Sequence, residues 1–557
     1  MPPRPAPGRP VPGRPFRSFG WSLAGVLCLS LSFPPIGFYP LAWVGLVPML
    51  VRWNEHKTAE ACAREVYALM LTMTACTGFW VLFHADTATA LAGGFGLLVL
   101  PLPFVGAVTL AGVVRRRFGL VVGLATLVLA VLSAEYLLLI APVDVPWLLL
   151  GHTQVEGLAF IQTADLGGVL LLSFWVLLLN VTGFAVVPAL ASPKGLAESW
   201  QVRMGESGIA VAFFAVLVAL PAVYGAARSA WSETPAGYAR IGIVQPGVPI
   251  ETWDANEARR VDVLASLSDR LLGRWSAADS AQAPMNTEPL FQRVALDGSG
   301  PRGRGRADQE AVGILIWPQG ALPYMGSDDR ERLVLDRLRQ WCALRNVALI
   351  TGATTRIPSD GADRLETTSA LLVRPNAPVL RHDQMHRVPV ADPPGVLGDR
   401  RTLFPVGGAR VAPLLGFESL FGDHARRFAA DGADLFVVLA QSDRWGPSGG
   451  LAQHLHMTRL RAIETRRVVV VTSVGGVSAL VQPSGEIEQT TGWMEQGLVP
   501  LDVPMYRSET LYARHGDWVG RWALAGMFLL LVATSLVAYL RPRLVVAKPV
   551  RAGLRRF

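Results

Sequence analysis

The sequence predicts a two-part protein, in which a polytopic α-helical membrane domain of about eight spans is joined to an α/β domain built as a layered sandwich. Three observations predict it. The 557 residues are 51% hydrophobic and 17% charged, with a mean hydropathy of +0.35. That is too apolar for a soluble protein and too charged for one wholly embedded in lipid. The long apolar runs are confined to the first 230 residues and to one stretch near the C-terminus. Between them, from Gly237, short apolar strands alternate with amphipathic helices.

A span needs about 20 mostly apolar residues. Candidates lie at 19–34, 38–52, 66–83, 89–113, 118–141, 168–191, 208–228 and 519–540. The second is short enough to be re-entrant. Basic residues precede the first, as in a signal peptide, but "FPPIGFYP" follows it instead of a small-residue cleavage site, so it counts as a span. Basic residues fall on alternate connections. Arg4, Arg9, Arg14 and Arg17 precede the first span, Arg52 and Lys57 follow the second, and Arg115 to Arg117 follow the fourth. Lys194 and Arg203 separate the sixth and seventh, and Arg541, Arg543, Lys548, Arg551, Arg555 and Arg556 follow the eighth. The intervening "HADTATA" and "APVDVPWLLLGHTQ" carry no Lys or Arg. By the positive-inside rule both termini are cytoplasmic and residues 230–515 lie outside. This placement also accounts for the net charge of +8 without nucleic acid. The expected organisation is therefore a basic Pro-rich tail (1–18), a seven-span domain (19–229), the outer domain (230–515), the eighth span (516–540) and a second basic tail (541–557).

In the outer domain "YARIGIVQP", "AVGILIWP", "VALITGAT", "ETTSALLVRP", "ARVAPLLGF", "ADLFVVLA", "RRVVVVTSV" and "VSALVQPSG" read as strands. "ANEARRVDVLASLSDRLLGRW", "DDRERLVLDRLRQWCALRN" and "AQHLHMTRLRAIETR" keep helical apolar spacing. Uninterrupted runs such as VVVV suit strands covered on both faces. The Gly/Arg/Ala-rich stretch 277–310 reads as a flexible insertion. Cys28, Cys62 and Cys76 lie in or beside apolar runs and only Cys342 lies in the polar region, which excludes a disulfide framework or a CxxC metal site.

"APLLGFESLFGDH" (412–424) is a buried strand turning into a helix, the local form on which α/β hydrolases present a nucleophile. Its apex is glycine. With "FPPIGFYPLAWVGLVPML", "VPWLLLGHTQ", "IGIVQPGVP", "ILIWPQGALP", "HRVPVAD", "GADLFVVLAQSDRWG" and "QHLHMTRLRAIETRR", it makes the chain resemble the apolipoprotein N-acyltransferase family over nearly its whole length. The resemblance implies an α-β-β-α nitrilase-like (carbon–nitrogen hydrolase) domain on the outer face of the bacterial inner membrane. It also implies a chemistry: an acyl chain moves from phospholipid to the N-terminal amine of a diacylated lipoprotein, through a thioester on cysteine. The family uses a Glu-Lys-Cys triad, in which a carboxylate takes the thiol proton and lysine stabilises the oxyanion. No cofactor is implied.

Position by position, that triad is replaced. The glutamate after Trp-Pro is Gln319, the lysine four residues before Val-Pro is Gln384, and the cysteine before an aromatic and a glutamate is Gly416. Carboxylates persist at Glu418 and Asp392. No change of register restores the triad. The chain's three lysines are Lys57, Lys194 and Lys548, so 230–515 has none, and its one cysteine, Cys342, sits inside a helix. Arginine cannot replace a titrating group.

Gln319 and Gln384 are expected to hydrogen-bond each other or the backbone of a retained cleft. Phe417 and Trp445 are candidate lipid or substrate contacts, and Trp317 is expected in the core. Ser419 lacks the G-x-S-x-G setting of an elbow nucleophile. His454 and His456 are two apart and share no helix face, and His382 and His386 show no third ligand, so no metal is expected. The sequence therefore reads as a catalytically silent family member that binds phospholipid or lipoprotein. The alternatives are an active acyltransferase with displaced catalytic groups, and a regulatory partner of an active paralogue or another membrane enzyme.

Overall fold

The computed structural model describes residues 19–84, 87–140, 145–190, 200–230, 233–281, 313–323, 325, 328–357, 365–387, 396–446, 448–489 and 491–545. Asp392, the N-terminal tail, residues 546–557 of the C-terminal tail and residues 282–310 of the expected insertion lie outside them, while residues 541–545 continue the helix Trp518–Val545. Residues 277–281 are not part of an insertion: they continue the helix Arg260–Ala281.

Among the described residues, six helices are long and apolar enough to cross a membrane: Ala59–Phe83, Thr87–Phe118, Leu120–Ile140, Ala164–Val186, Gly208–Ser229 and Trp518–Leu540. The first two expected spans are shorter. One is the 12-residue helix Phe19–Ser30. The other is divided into a 3-10 turn, Tyr39–Trp43, and the helix Val47–Glu55. Twelve residues rise about 18 Å, against roughly 30 Å of hydrocarbon. The prolines at 34, 35, 40 and 48 deny this stretch a continuous ladder of amide donors. Asn180 holds the divided element in place, accepting from the Leu46 amide at 2.8 Å and donating to the Ala42 carbonyl at 2.7 Å. The two shortened elements are consecutive, so counting or omitting both leaves every later segment on the same side.

Among the described residues the α/β domain has twelve strands. The first six are β1 (Gly237–Gln245), β2 (Gly313–Ile316), β3 (Val347–Ile357), β4 (Leu365–Val373), β5 (Leu380–Asp383) and β6 (Phe404–Val406). The rest are β7 (Ala409–Leu415), β8 (Leu435–Leu439), β9 (Val468–Thr472), β10 (Ala479–Val481), β11 (Ile487–Gln489) and β12 (Gly497–Met505). They form two six-stranded sheets, ordered β12-β1-β2-β3-β4-β5 and β11-β10-β9-β8-β7-β6. Ile241, Ile314 and Ile350 of one sheet meet Val411, Leu435 and Val470 of the other in a shared core. The helices Arg260–Ala281 and Asp328–Arg345 cover the first sheet through Leu267 and Leu338, and Gly422–Ala430 and Gly449–Thr465 cover the second through Phe428 and Ala462. The result is an α-β-β-α sandwich. β8 and β9 are parallel and buried along their whole length, which explains the unbroken valines.

The sandwich is tied to the membrane helices by a buried charge cluster. Arg466, in left-handed conformation just beyond the helix Gly449–Thr465, donates to Asp165 at 2.6 Å and to Gln162 at 2.7 Å. Arg228 and Tyr224 reach the same carboxylate at 3.1 and 2.8 Å.

Candidate active site

The centre of the candidate site is the turn after β7. That strand is apolar and buried, and it ends at Gly416, whose φ of +42° suits glycine and few other residues. A 3-10 turn, Gly416–Leu420, then feeds the helix Gly422–Ala430. A side chain at 416 would begin 3.2 Å from the Gln319 amide oxygen and 3.8 Å from the Leu439 carbonyl. The fold therefore sets Gly416 and Gln319 face to face. Gln319 is held by its neighbours. Trp317 is fully buried, its indole N–H donates to Ser268 at 2.9 Å, and its amide donates to the Ile350 carbonyl of β3. β3 passes close behind through Gly352, where a Cβ would lie 2.7 Å from the Gln319 Cα.

Gln384 follows β5. Its amide N–H donates to Thr368, its carbonyl accepts from Gly398, and its side-chain NH₂ donates to the His386 carbonyl at 2.8 Å. The side chain thus closes its own loop onto the backbone. Glu418, expected as a cleft carboxylate, is instead a fully buried clamp. One oxygen accepts from the Leu415 amide at 2.8 Å; the other accepts from the amides of Met385 and His386 at 2.6 and 3.3 Å. It thereby fastens the loop of Gln384 to the elbow. Burial works against its ionisation, but His424, His382 and the Leu415 amide outweigh burial and hold the carboxyl at about 2.

The other candidates fall into place around this frame. Phe417 is buried against Leu420, Phe421 and Met457, so it packs the turn and offers no open surface. Trp445 packs at a tilt against Trp80 and edge-on against Trp147 of the membrane domain, at centroid distances of 5.1 and 5.9 Å. Gln453 secures that cluster: its side-chain oxygen accepts from both membrane-domain indoles, at 3.1 and 2.7 Å. Nothing in the sequence marked Gln453, because its partners lie more than 300 positions away. Cys342 is fully buried and burial pushes its thiol up to about 12, so it supplies no thiolate.

Ser419 does meet a histidine, His454 Nε2 at 3.2 Å, which its sequence context did not signal. The contact lies beneath the elbow. Ser419 is fully buried and donates to the Gly416 carbonyl at 2.8 Å, and the same carbonyl lies 3.1 Å from His454 Nε2. Both groups brace the turn.

Comparison with known proteins identifies the family. Residues 24–182 match the apolipoprotein N-acyltransferase N-terminal domain and residues 240–511 match carbon–nitrogen hydrolase. The apolipoprotein N-acyltransferase of Chlorobaculum tepidum is 26% identical, over 93% of this chain and 97% of its own length. That of Geobacter metallireducens is 25% identical over 90% and 92%, and that of Gloeobacter violaceus 28% over 89% and 91%. An amidase from Nesterenkonia sp. AN1 is similar at 19% identity and a TM-score of 0.35, covering 52% of this chain and 100% of its own. With both domain models matched in order and relatives aligned almost end to end, the chain belongs to the apolipoprotein N-acyltransferase family and carries its nitrilase-like domain.

Proposed function

We propose that this chain is a non-acylating member of its family, a membrane-anchored nitrilase-like domain that binds phospholipid or lipoprotein. One observation carries the reading. Where thioester chemistry requires a thiol facing a proton acceptor, Gly416 has no side chain, and the group nearest to where one would begin is the Gln319 amide oxygen, at 3.2 Å. A glutamine amide takes no proton from a thiol, and the domain contains no lysine to balance an oxyanion. The one-sided basic clusters support placing the domain on the outer face of the inner membrane.

The test is direct. Purified protein, given phospholipid and a diacylated lipopeptide, is expected to form no acyl-enzyme by intact mass and no triacylated product. Triacylation by protein free of contaminating enzyme overturns the proposal. Native mass spectrometry in mild detergent is expected to show retained phospholipid or lipopeptide, and a ligand-free spectrum removes the binding role. The reading of displaced catalytic groups rests on Ser419 beside His454. If turnover is found, Ser419→Ala decides whether that pair causes it. Co-purification with an acylating paralogue would assign the chain a partner role instead.

A further inference from the structure

Behind the elbow, three side chains from three separate elements converge: His382 from β5, Glu418 from the 3-10 turn and His424 from the helix Gly422–Ala430. Their ligand atoms all lie within 4.8 Å of one another. Each imidazole turns its Nε2 toward a different oxygen of the carboxylate, His382 at 3.7 Å and His424 at 3.8 Å. These separations exceed a hydrogen bond, and neither Nε2 has a hydrogen-bond partner. Both rings are buried, His382 at 0% and His424 at 4% exposure. Two buried nitrogens aimed at one anion, with no partner between them, form a donor set without its centre.

We propose that His382, Glu418 and His424 bind a divalent zinc ion. Two imidazoles and a carboxylate form a donor set that suits zinc, whose bonds to nitrogen and oxygen run about 2.0–2.2 Å. Such bonds set neighbouring tetrahedral ligands roughly 3.4 Å apart. The gaps of 3.7 and 3.8 Å, each to a different oxygen, lie a few tenths of an ångström beyond that spacing, and no two of the three ligand atoms are more than 4.8 Å apart, so binding draws both rings inward. The ion's charge answers a buried carboxylate whose other neighbours are backbone amides. On its other side His424 lines a cavity of about 250 Å³ between the sandwich and the membrane helices. One local cost is visible. The Thr402 amide contacts His382 Nδ1 at 3.4 Å, which favours the proton on Nε2; coordination moves that proton to Nδ1 and opens this weak contact. The site is independent of whether the elbow acylates anything.

Its test uses full-length detergent-purified protein carrying a tag without histidines. After exhaustive dialysis, elemental analysis is expected to find about one zinc per chain, removable by chelator and restored by added zinc. Restored zinc is expected to raise the melting temperature of chelator-treated protein. In His382→Gln and His424→Gln variants both the metal and the temperature shift are lost, whereas His456→Gln, outside the cluster, keeps them. Should the cluster variants fail to fold, cobalt substitution of the unaltered chain decides, since bound tetrahedral cobalt gives strong visible absorption. Folded protein that takes up neither zinc nor cobalt overturns the proposal, as does a folded His382→Gln/His424→Gln chain that binds as much as the unaltered one.

Discussion

Gly416 and Glu418, two residues apart on one turn, have opposite relations to the chemistry their family name implies. At Gly416 the side chain that chemistry needs is absent. Gly416→Cys is expected to remain without acyl-enzyme, since Gln319 still supplies no base and Gln384 no charge; intact mass after incubation with phospholipid checks this. Members of a catalytic unit act non-additively, so Gln319→Glu, Gln384→Lys and Gly416→Cys together are the least change that can revive turnover. Glu418 is needed for shape. Glu418→Gln puts an amide NH₂ among three backbone donors and is expected to cost about 1–3 kcal/mol, read as a lower melting temperature. Burial pushes Glu464 up to about 8, so its contribution is fully present below 4.5 and is lost as pH rises through 8. Thermal melts across pH are expected to show this alkaline loss, and Glu464→Gln is expected to lack it.

Among the elements, the helix Gly449–Thr465 joins the two halves. Its Gln453 engages the indoles of the membrane domain, and Arg466 beyond its C-terminus engages Asp165. Arg466→Met leaves the Asp165 carboxylate short of its closest cation in a buried setting and is expected to cost about 3 kcal/mol or more. The readout is a loosened junction, seen as faster proteolysis between the halves. The helix's apolar spacing was legible in the sequence, and so were the strand runs, because burial on one or both faces writes itself into residue order. The shortened first two spans were less legible. Their apolar content reaches spanning length, but prolines and the Asn180 contacts divide the backbone, and hydropathy does not register backbone hydrogen bonds.

For the whole molecule, the orientation we propose rests on the one-sided basic clusters. A reporter-fusion or cysteine-accessibility map is expected to place residue 300 outside and both termini inside, and a cytoplasmic signal at residue 300 would reverse the architecture. The exposed apolar side chains Val211, Phe213, Trp522 and Phe528 lie on helices long enough to span, as lipid-facing surfaces require.

By itself the sequence determined the two-part architecture, the sandwich and the family, because each is written in local order, composition or an ordered series of short motifs. The absence of a domain lysine needs no coordinates at all. Only the tertiary structure decided how the remaining polar residues are used. It brought Gln319 against Gly416, turned Glu418 from a cleft carboxylate into a buried clamp, and set Ser419 beneath the turn. It also paired His382 with His424, 42 positions away, and not with the nearby His386 that spacing suggested. The physical reason is that burial and hydrogen-bond direction depend on which strands and turns the fold lays side by side, and those neighbours come from distant parts of the chain.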